Sequence, residues 1–258
     1  MDPLGVLLGN AWKRFAAKFW TLAWIFVLPT VFIIGGQLEG GRKGLGGGVA
    51  VAGGALSLVG TLLSVAATVA LISALARGTG IAESYRAGMK LFWPAVWVGI
   101  LNMVAVVGGG AMLIVPGVMI AISLVFANYA LVLEGARGVR ALRLSRFYVK
   151  GHWWAVFARL LFITVIFFAV TAFVYSPIRH LAGPVAGAVA SFIILICYAA
   201  FSTAYALEMY ENLRRCKADV AAGEGGADIL RRDSFLEACF ILGAVVFAFI
   251  ILFTTRVI

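Results

Sequence analysis

Charge is scarce in this sequence. Asp, Glu, Lys and Arg make up 12% of its 258 residues, about half the share of an ordinary soluble domain. The stretches 19–38, 44–76, 91–133, 160–178, 181–207 and 238–255 contain no such residue, which excludes a soluble fold clothed in charge. Histidine is limited to His152 and His180, and cysteine to Cys197, Cys216 and Cys239. There is no H-E-x-x-H, no G-x-S-x-G and no pair of carboxylates within an apolar run. Metallohydrolase, serine-hydrolase and carboxylate acid–base chemistries therefore have no residues to carry them. The cysteine spacing matches neither a zinc site nor a disulfide framework. The expectation is a protein that is not an enzyme, with no catalytic residues, no metal site and no cofactor.

What fills the chain is apolar: 63% of it is hydrophobic. A bilayer core about 30 Å thick is crossed by about 20 apolar residues in helical form. Backbone in lipid must satisfy its own hydrogen bonds, which a helix does. The period-two alternation of a membrane β-barrel is absent. The fold class read from the sequence is all-α: a polytopic transmembrane helical bundle of about seven spans. The run 91–133 would make one helix of about 64 Å, twice the hydrocarbon thickness. Gly108-Gly109-Gly110 is read as the turn that divides it. The spans are expected at 20–36, 50–76, 91–108, 111–133, 153–175, 185–209 and 235–254. Nineteen residues precede the first apolar run and no A-x-A site follows it, so that span is expected to be retained.

The basic residues set an orientation. Segments on the N-terminal side of the membrane hold sixteen Lys and Arg, the opposite side Arg42, Lys43, Arg179 and Arg256 only. By the positive-inside rule the N-terminus is cytoplasmic and the C-terminus outside. The net charge of +10 is spread over short juxtamembrane loops, a pattern that topology explains without nucleic acid.

Three segments share a pattern: AWKRFAAKFWTLAWIFVL, SYRAGMKLFWPAVWVGIL and SRFYVKGHWWAVFARLLF. Each has Arg and Lys four apart, at Arg14 and Lys18, Arg86 and Lys90, Arg146 and Lys150. Trp20, Trp93 and Trp153 follow. Cations at that spacing share a helical face and reach phosphates, and Trp favours the headgroup level. Each segment reads as an interfacial amphipathic helix that turns into a span, a threefold repeat with a seventh helix added. In 137–150, Arg140, Arg143, Arg146 and Lys150 take one side, and Leu142, Leu144, Tyr148 and Val149 mostly the other. The candidate headgroup contacts are Arg14, Lys18, Arg86, Lys90, Arg140, Arg143, Arg146 and Lys150. The domain reading is a six-span membrane domain over 1–210, a cytoplasmic linker over 211–234 and an additional transmembrane helix over 235–258.

A candidate intramembrane polar site comprises Asn102, Pro116, Asn128, Tyr129 and Arg159. Pro116-Gly117 is the candidate helix break, as broken spans form sites in many transporters. Pro29 and Pro94 fit ordinary kinks. Buried amides more often cross-link helices, and Arg159, six residues past Trp153, is expected to snorkel to the interface. Glu134 is expected to pair with Arg137 or Arg140. Ser234-Phe235-Leu236-Glu237 reads as a capping box opening the last helix. Gly46, Ala50 and Gly54, and Gly183, Gly187 and Ser191, are small residues placed for close helix packing or a homodimer seam.

Pro116, Gly117, Phe126, Tyr129, Glu134, Gly135, Ala141, Ser145, Lys150, Gly151 and Trp153 follow the order P-G, F-x-x-Y, an acidic residue with glycine, A-x-x-x-S and K-G-x-W. In this the chain resembles the bacterial YciC-like membrane proteins and the membrane domain of some glycerophosphoryl diester phosphodiesterases, over about residues 8–210. The resemblance implies a six-span core in a bacterial inner membrane. The phosphodiesterase activity belongs to a separate catalytic domain that has no counterpart here. The expected function is a non-enzymatic membrane module engaging anionic lipid or a membrane partner through its basic helices. A small-solute transporter or channel is the alternative.

Overall fold

The computed structural model describes residues 3–40, 47–217 and 234–257. Among them the chain is α-helical with no strand. In order the helices are α1 (Leu4–Gly40), α2 (Gly47–Arg77), α3 (Ile81–Lys90), α4 (Phe92–Met112), α5 (Ile114–Leu124) and α6 (Ala127–Glu134). They continue with α7 (Val139–Val149), α8 (Trp153–Val170), α9 (Ser176–Cys216) and α10 (Ser234–Val257). A π-helical turn, Thr171–Tyr175, joins α8 to α9. Among the described residues six helices are long and apolar enough to cross a membrane: Leu4–Ile33, Val51–Arg77, Phe92–Met112, Ile114–Glu134, Trp153–Val174 and Val189–Cys216. The described apolar part of α10 is shorter, Ser234–Phe249. The protein is an all-α, multi-pass membrane protein. Of the linker expected over 211–234, residues 218–233 lie outside the described residues, and α9 continues helically to Cys216.

Several threonine hydroxyls within the spans are absorbed by their own helices. Thr30 donates to the Phe26 carbonyl, Thr68 to Ser64, Thr164 to Leu160 and Thr203 to Ala199. This back-bonding to the preceding turn makes a polar side chain tolerable in hydrocarbon.

Each of the three Arg/Lys segments forms a short helix that breaks at its Lys. The long helix α1 is kinked at Lys18, whose backbone is non-helical. Helix α3 ends at Lys90, and α4 starts at Phe92. Helix α7 stops at Val149, Lys150 leaves the helical region, and α8 starts at Trp153.

The chain clusters into two compact units, Pro3–Phe92 with Leu160–Glu208, and Trp93–Arg159 with Met209–Ile258. In the first, α1 and α2 pack so closely at Gly60 that an added Cβ would lie 2.8 Å from the Ile33 nitrogen. The small α3 docks on both. Gly88 admits the Ala66 carbonyl to 2.6 Å of where a Cβ would stand, and the Tyr85 hydroxyl donates to the Ile25 carbonyl at 2.6 Å. Ile25 precedes Pro29 by four, and proline has no N–H to give it. The surface helix thus repairs the gap that Pro29 opens in the span. Burial raises the Tyr85 pKa above its ordinary value, keeping the phenol a donor. Lys18 bonds the Ala74 and Thr79 carbonyls at 3.2 and 3.4 Å, placing a cation on the negative end of α2.

In the second unit the reversal between the third and fourth spans falls at Leu113, in extended conformation, and not at the triple glycine. Those glycines lie inside α4 and serve packing. An added Cβ at Gly117 would sit 2.8 Å from the Gly110 Cα. One at Gly108 would overlap the Cys239 carbonyl, and one at Gly243 the Val104 carbonyl. Helices α4 and α10 therefore meet backbone to backbone, which only glycine at both positions permits. Gly54 meets nothing within 4 Å, and neither does Gly183, whose φ is +89°. The close approaches expected of them fall instead at Gly60, Gly88, Gly108 and Gly243; Gly46 lies outside the described residues.

Candidate functional site

Pro116 occupies the first turn of α5, three residues past Leu113, where its missing N–H costs nothing. It breaks no span. The fourth span is interrupted further on, at Val125 and Phe126 between α5 and α6. Side chains from α7 fill the interruption. Ser145, fully buried, accepts the Phe126 N–H at 3.1 Å and donates to the Ser123 carbonyl at 2.8 Å. One hydroxyl so completes two backbone groups that the broken helix leaves open. Helix α7 is amphipathic as expected, with Leu142, Leu144, Tyr148 and Val149 buried together with Ala141 and Ser145.

Glu134 closes α6, and Gly135, at φ +66°, supplies the left-handed cap. Its carboxylate accepts the Tyr210 hydroxyl and the Tyr148 hydroxyl, the latter at 3.4 Å. The Arg214 guanidinium approaches it to 3.8 Å. Arg137 and Arg140 are not its partners; the partners come from α7 and α9, beyond the reach of sequence-local pairing. Around this carboxylate Phe126, Tyr129, Tyr148 and Tyr210 form an aromatic cluster with centroids 5.4–6.0 Å apart. Burial first, then the Glu134 charge and its hydrogen bond, push the Tyr148 pKa up to about 12.

Lys217 donates to the Phe147 and Lys150 carbonyls, the second at 2.6 Å, and stands 4.7 Å from the centre of the Phe147 ring. It caps the C-terminus of α7. Burial and the neighbouring Lys150 charge lower its pKa. The His152 pKa is lowered by burial and then by Lys217. The start of α10 meets the same helix, with Glu237 3.6 Å from Arg143 and Phe235 beneath Arg146 at 4.9 Å. The described part of the last helix opens with Ser234, and Glu237 lies in its first turn.

The eight candidate headgroup cations divide. Arg14 forms an ion pair with Glu208 at 2.5 Å, and Lys18, Arg143 and Arg146 are engaged as described above. Arg86, Lys90, Arg140 and Lys150 are exposed. Exposed tryptophans mark the three helix entries: Trp20 at 73%, Trp93 at 75% and Trp154 at 74%. In the third repeat the outward ring is Trp154. Trp153 stacks on Phe157 and reaches the Met119 carbonyl at 3.4 Å.

Glu208 was not singled out from the sequence, because it sits at the very end of a charge-free run. A carboxylate three residues before an acidic–amide pair (Glu211, Asn212) was the available signal. Arg159 is 9% exposed, enclosed by protein. Asn102 and Asn128 each hold a buried amide oxygen with no hydrogen-bond partner among the described residues, so neither oxygen makes the helix cross-link expected of it. Compared with protein-family models, curated proteins and solved structures, the chain finds no match.

Proposed function

We propose that this protein is a non-enzymatic module of a bacterial inner membrane, with its N-terminus in the cytoplasm, that holds anionic phospholipid through its interfacial helices. The observation that carries this is the division of the repeat cations. Four are consumed by internal bonds, whereas Arg86, Lys90, Arg140 and Lys150 stay exposed on helices that end beside outward Trp93 and Trp154. Exposed cations next to interfacial tryptophan are the elements that bind headgroup phosphate. Kinship with the YciC-like proteins belongs to the same proposal. Its support is that Phe126, Tyr129, Glu134 and Ser145, four residues of that pattern, meet around the interruption of the fourth span.

The test is native mass spectrometry of the purified protein with phosphatidylglycerol and phosphatidylcholine. Each cation near the surface contributes about 1 kcal/mol, so R86Q/K90Q/R140Q/K150Q should lose most of the preference for the anionic lipid. An unchanged preference in this variant would refute the reading. A small-solute pathway is the second reading, favoured by the interrupted fourth span with the unpartnered Asn102 and Asn128 oxygens. Thiol labelling of single cysteines placed along 114–134 decides it: a span dry at every position rules the pathway out.

A further inference from the structure

Helix α7 carries its cations as one strip. Arg140, Arg143 and Arg146 fall within an arc of about 120° at helical spacing, and Lys150 follows at the helix end. The ends of the strip, Arg140 and Lys150, are exposed, whereas its middle, Arg143 and Arg146, is half-buried. The start of α10 covers that middle. The Glu237 carboxylate stands 3.6 Å from the Arg143 guanidinium, and the Phe235 ring centre lies 4.9 Å from that of Arg146.

The cover is held in place from elsewhere. Further along α10, Gly243 meets the Val104 carbonyl of α4 too closely to admit a Cβ, so α10 stays docked whether or not Glu237 holds Arg143. The ion pair itself is open to water, with the Arg143 side chain 24% exposed and that of Glu237 31%. A pair so solvated shifts an equilibrium by at most about fivefold. A headgroup phosphodiester carries the same single negative charge as the carboxylate, and its paired oxygens match the fork of a guanidinium. A phosphate drawn to exposed Arg140 stands three residues from Arg143, a spacing at which side chains of one helix meet. Glu237 thus fills the place on α7 that a phosphate would take.

We propose that α10 is an internal competitor for anionic phospholipid: Glu237 occupies a phosphate site at Arg143 and Phe235 covers Arg146, so α7 offers the membrane only the two ends of its cationic strip. The proposal deepens the lipid-holding reading and rests on it, but concerns the two arginines of α7 that this reading sets aside. The experiment is native mass spectrometry of the full chain with dioleoyl phosphatidylglycerol and dioleoyl phosphatidylcholine, read as the ratio of the two retained. Glu237→Gln removes the charge and keeps the capping reach of the side chain. It should raise the ratio about two- to fivefold. In an R143Q background the same change should leave the ratio unaltered, since coupling between two neighbours vanishes once one is gone. That dependence separates the release of Arg143 from a general gain of positive charge and from misfolding, either of which would raise the ratio in both backgrounds. F235A should give a further rise that R146Q cancels. The two readings fail separately. An unchanged preference in R86Q/K90Q/R140Q/K150Q refutes the lipid reading. A wild type that prefers phosphatidylglycerol, with an E237Q that prefers it no more, overturns this inference alone. A rise of equal size in the R143Q background would overturn it as well.

Discussion

Replacing Ser145 by alanine isolates the device that holds the fourth span together. The substitution removes one oxygen and leaves the shape of a fully buried site almost unchanged. The Phe126 N–H then has no partner, and the Ser123 carbonyl loses a donor. A buried donor left unsatisfied costs about 1–3 kcal/mol, and an ordinary hydrogen bond lost contributes about 1 kcal/mol. The expected loss is therefore about 2–4 kcal/mol, a large part of a typical folding free energy of about 5–15 kcal/mol. Interhelical hydrogen bonds in membrane proteins average only about 0.6 kcal/mol where the freed groups find new partners. Here the site is sealed and none is at hand, so the higher figure applies. Hydrogen–deuterium exchange in bicelles reads the effect locally: 2 kcal/mol is roughly a thirtyfold faster exchange at the Phe126 amide. S145C, whose thiol is a weak donor and acceptor, should fall between. If S145A unfolds within 0.5 kcal/mol of wild type and leaves the Phe126 amide protected, the repair argument is wrong.

The other repaired gap predicts a parallel result. Tyr85→Phe leaves the Ile25 carbonyl without its donor, so stability to denaturant should fall by about 1 kcal/mol or more. Gly108→Ala or Gly243→Ala should separate α4 from α10 and lower the melting temperature clearly, whereas Gly54→Ala, with open space around it, should be neutral or slightly stabilising. Tyr148 gives a pH signature. Its pKa rises from 10.0 in the unfolded chain to about 12 when folded, so its contribution is complete below pH 10 and is lost as pH climbs toward 12. Ultraviolet titration should find Tyr148 among the late-ionising tyrosines, one fewer of them in Y148F; a wild type in which every tyrosine ionises near pH 10 would refute the burial argument.

The spans and their entry points were legible in the sequence because absence of charge and the placing of Arg, Lys and Trp are local signals. Each short helix does end at Lys18, Lys90 or Lys150. The triple glycine was misplaced as a turn because glycine in a membrane helix has two uses, reversal and close approach. Local sequence does not reveal the backbone of α10 that lies against Gly108. Pro116 misled for a similar reason: its effect depends on whether it stands in the first turn or the middle of a helix, and the first turn was set by Leu113. The candidate site was the least legible part. Ser145 could be recognised only as a small residue of a motif, since its partners lie 19 and 22 residues back. Tyr210 reaches Glu134 across 76 residues, a separation that no local pattern encodes.

The meeting of Gly108 with Gly243 also orders the protein's biogenesis. The two residues are 135 positions apart, and a ribosome adding about 5–20 residues per second takes roughly 7–27 s to travel that distance. Throughout that interval α4 has been made, with a bare strip of backbone where α10 will lie. Assembly of the second unit must therefore finish by lateral docking of a late helix onto a waiting partner. A ribosome that stalls before α10 releases an intermediate marked by that open glycine strip, a feature that membrane quality control could read as unfinished.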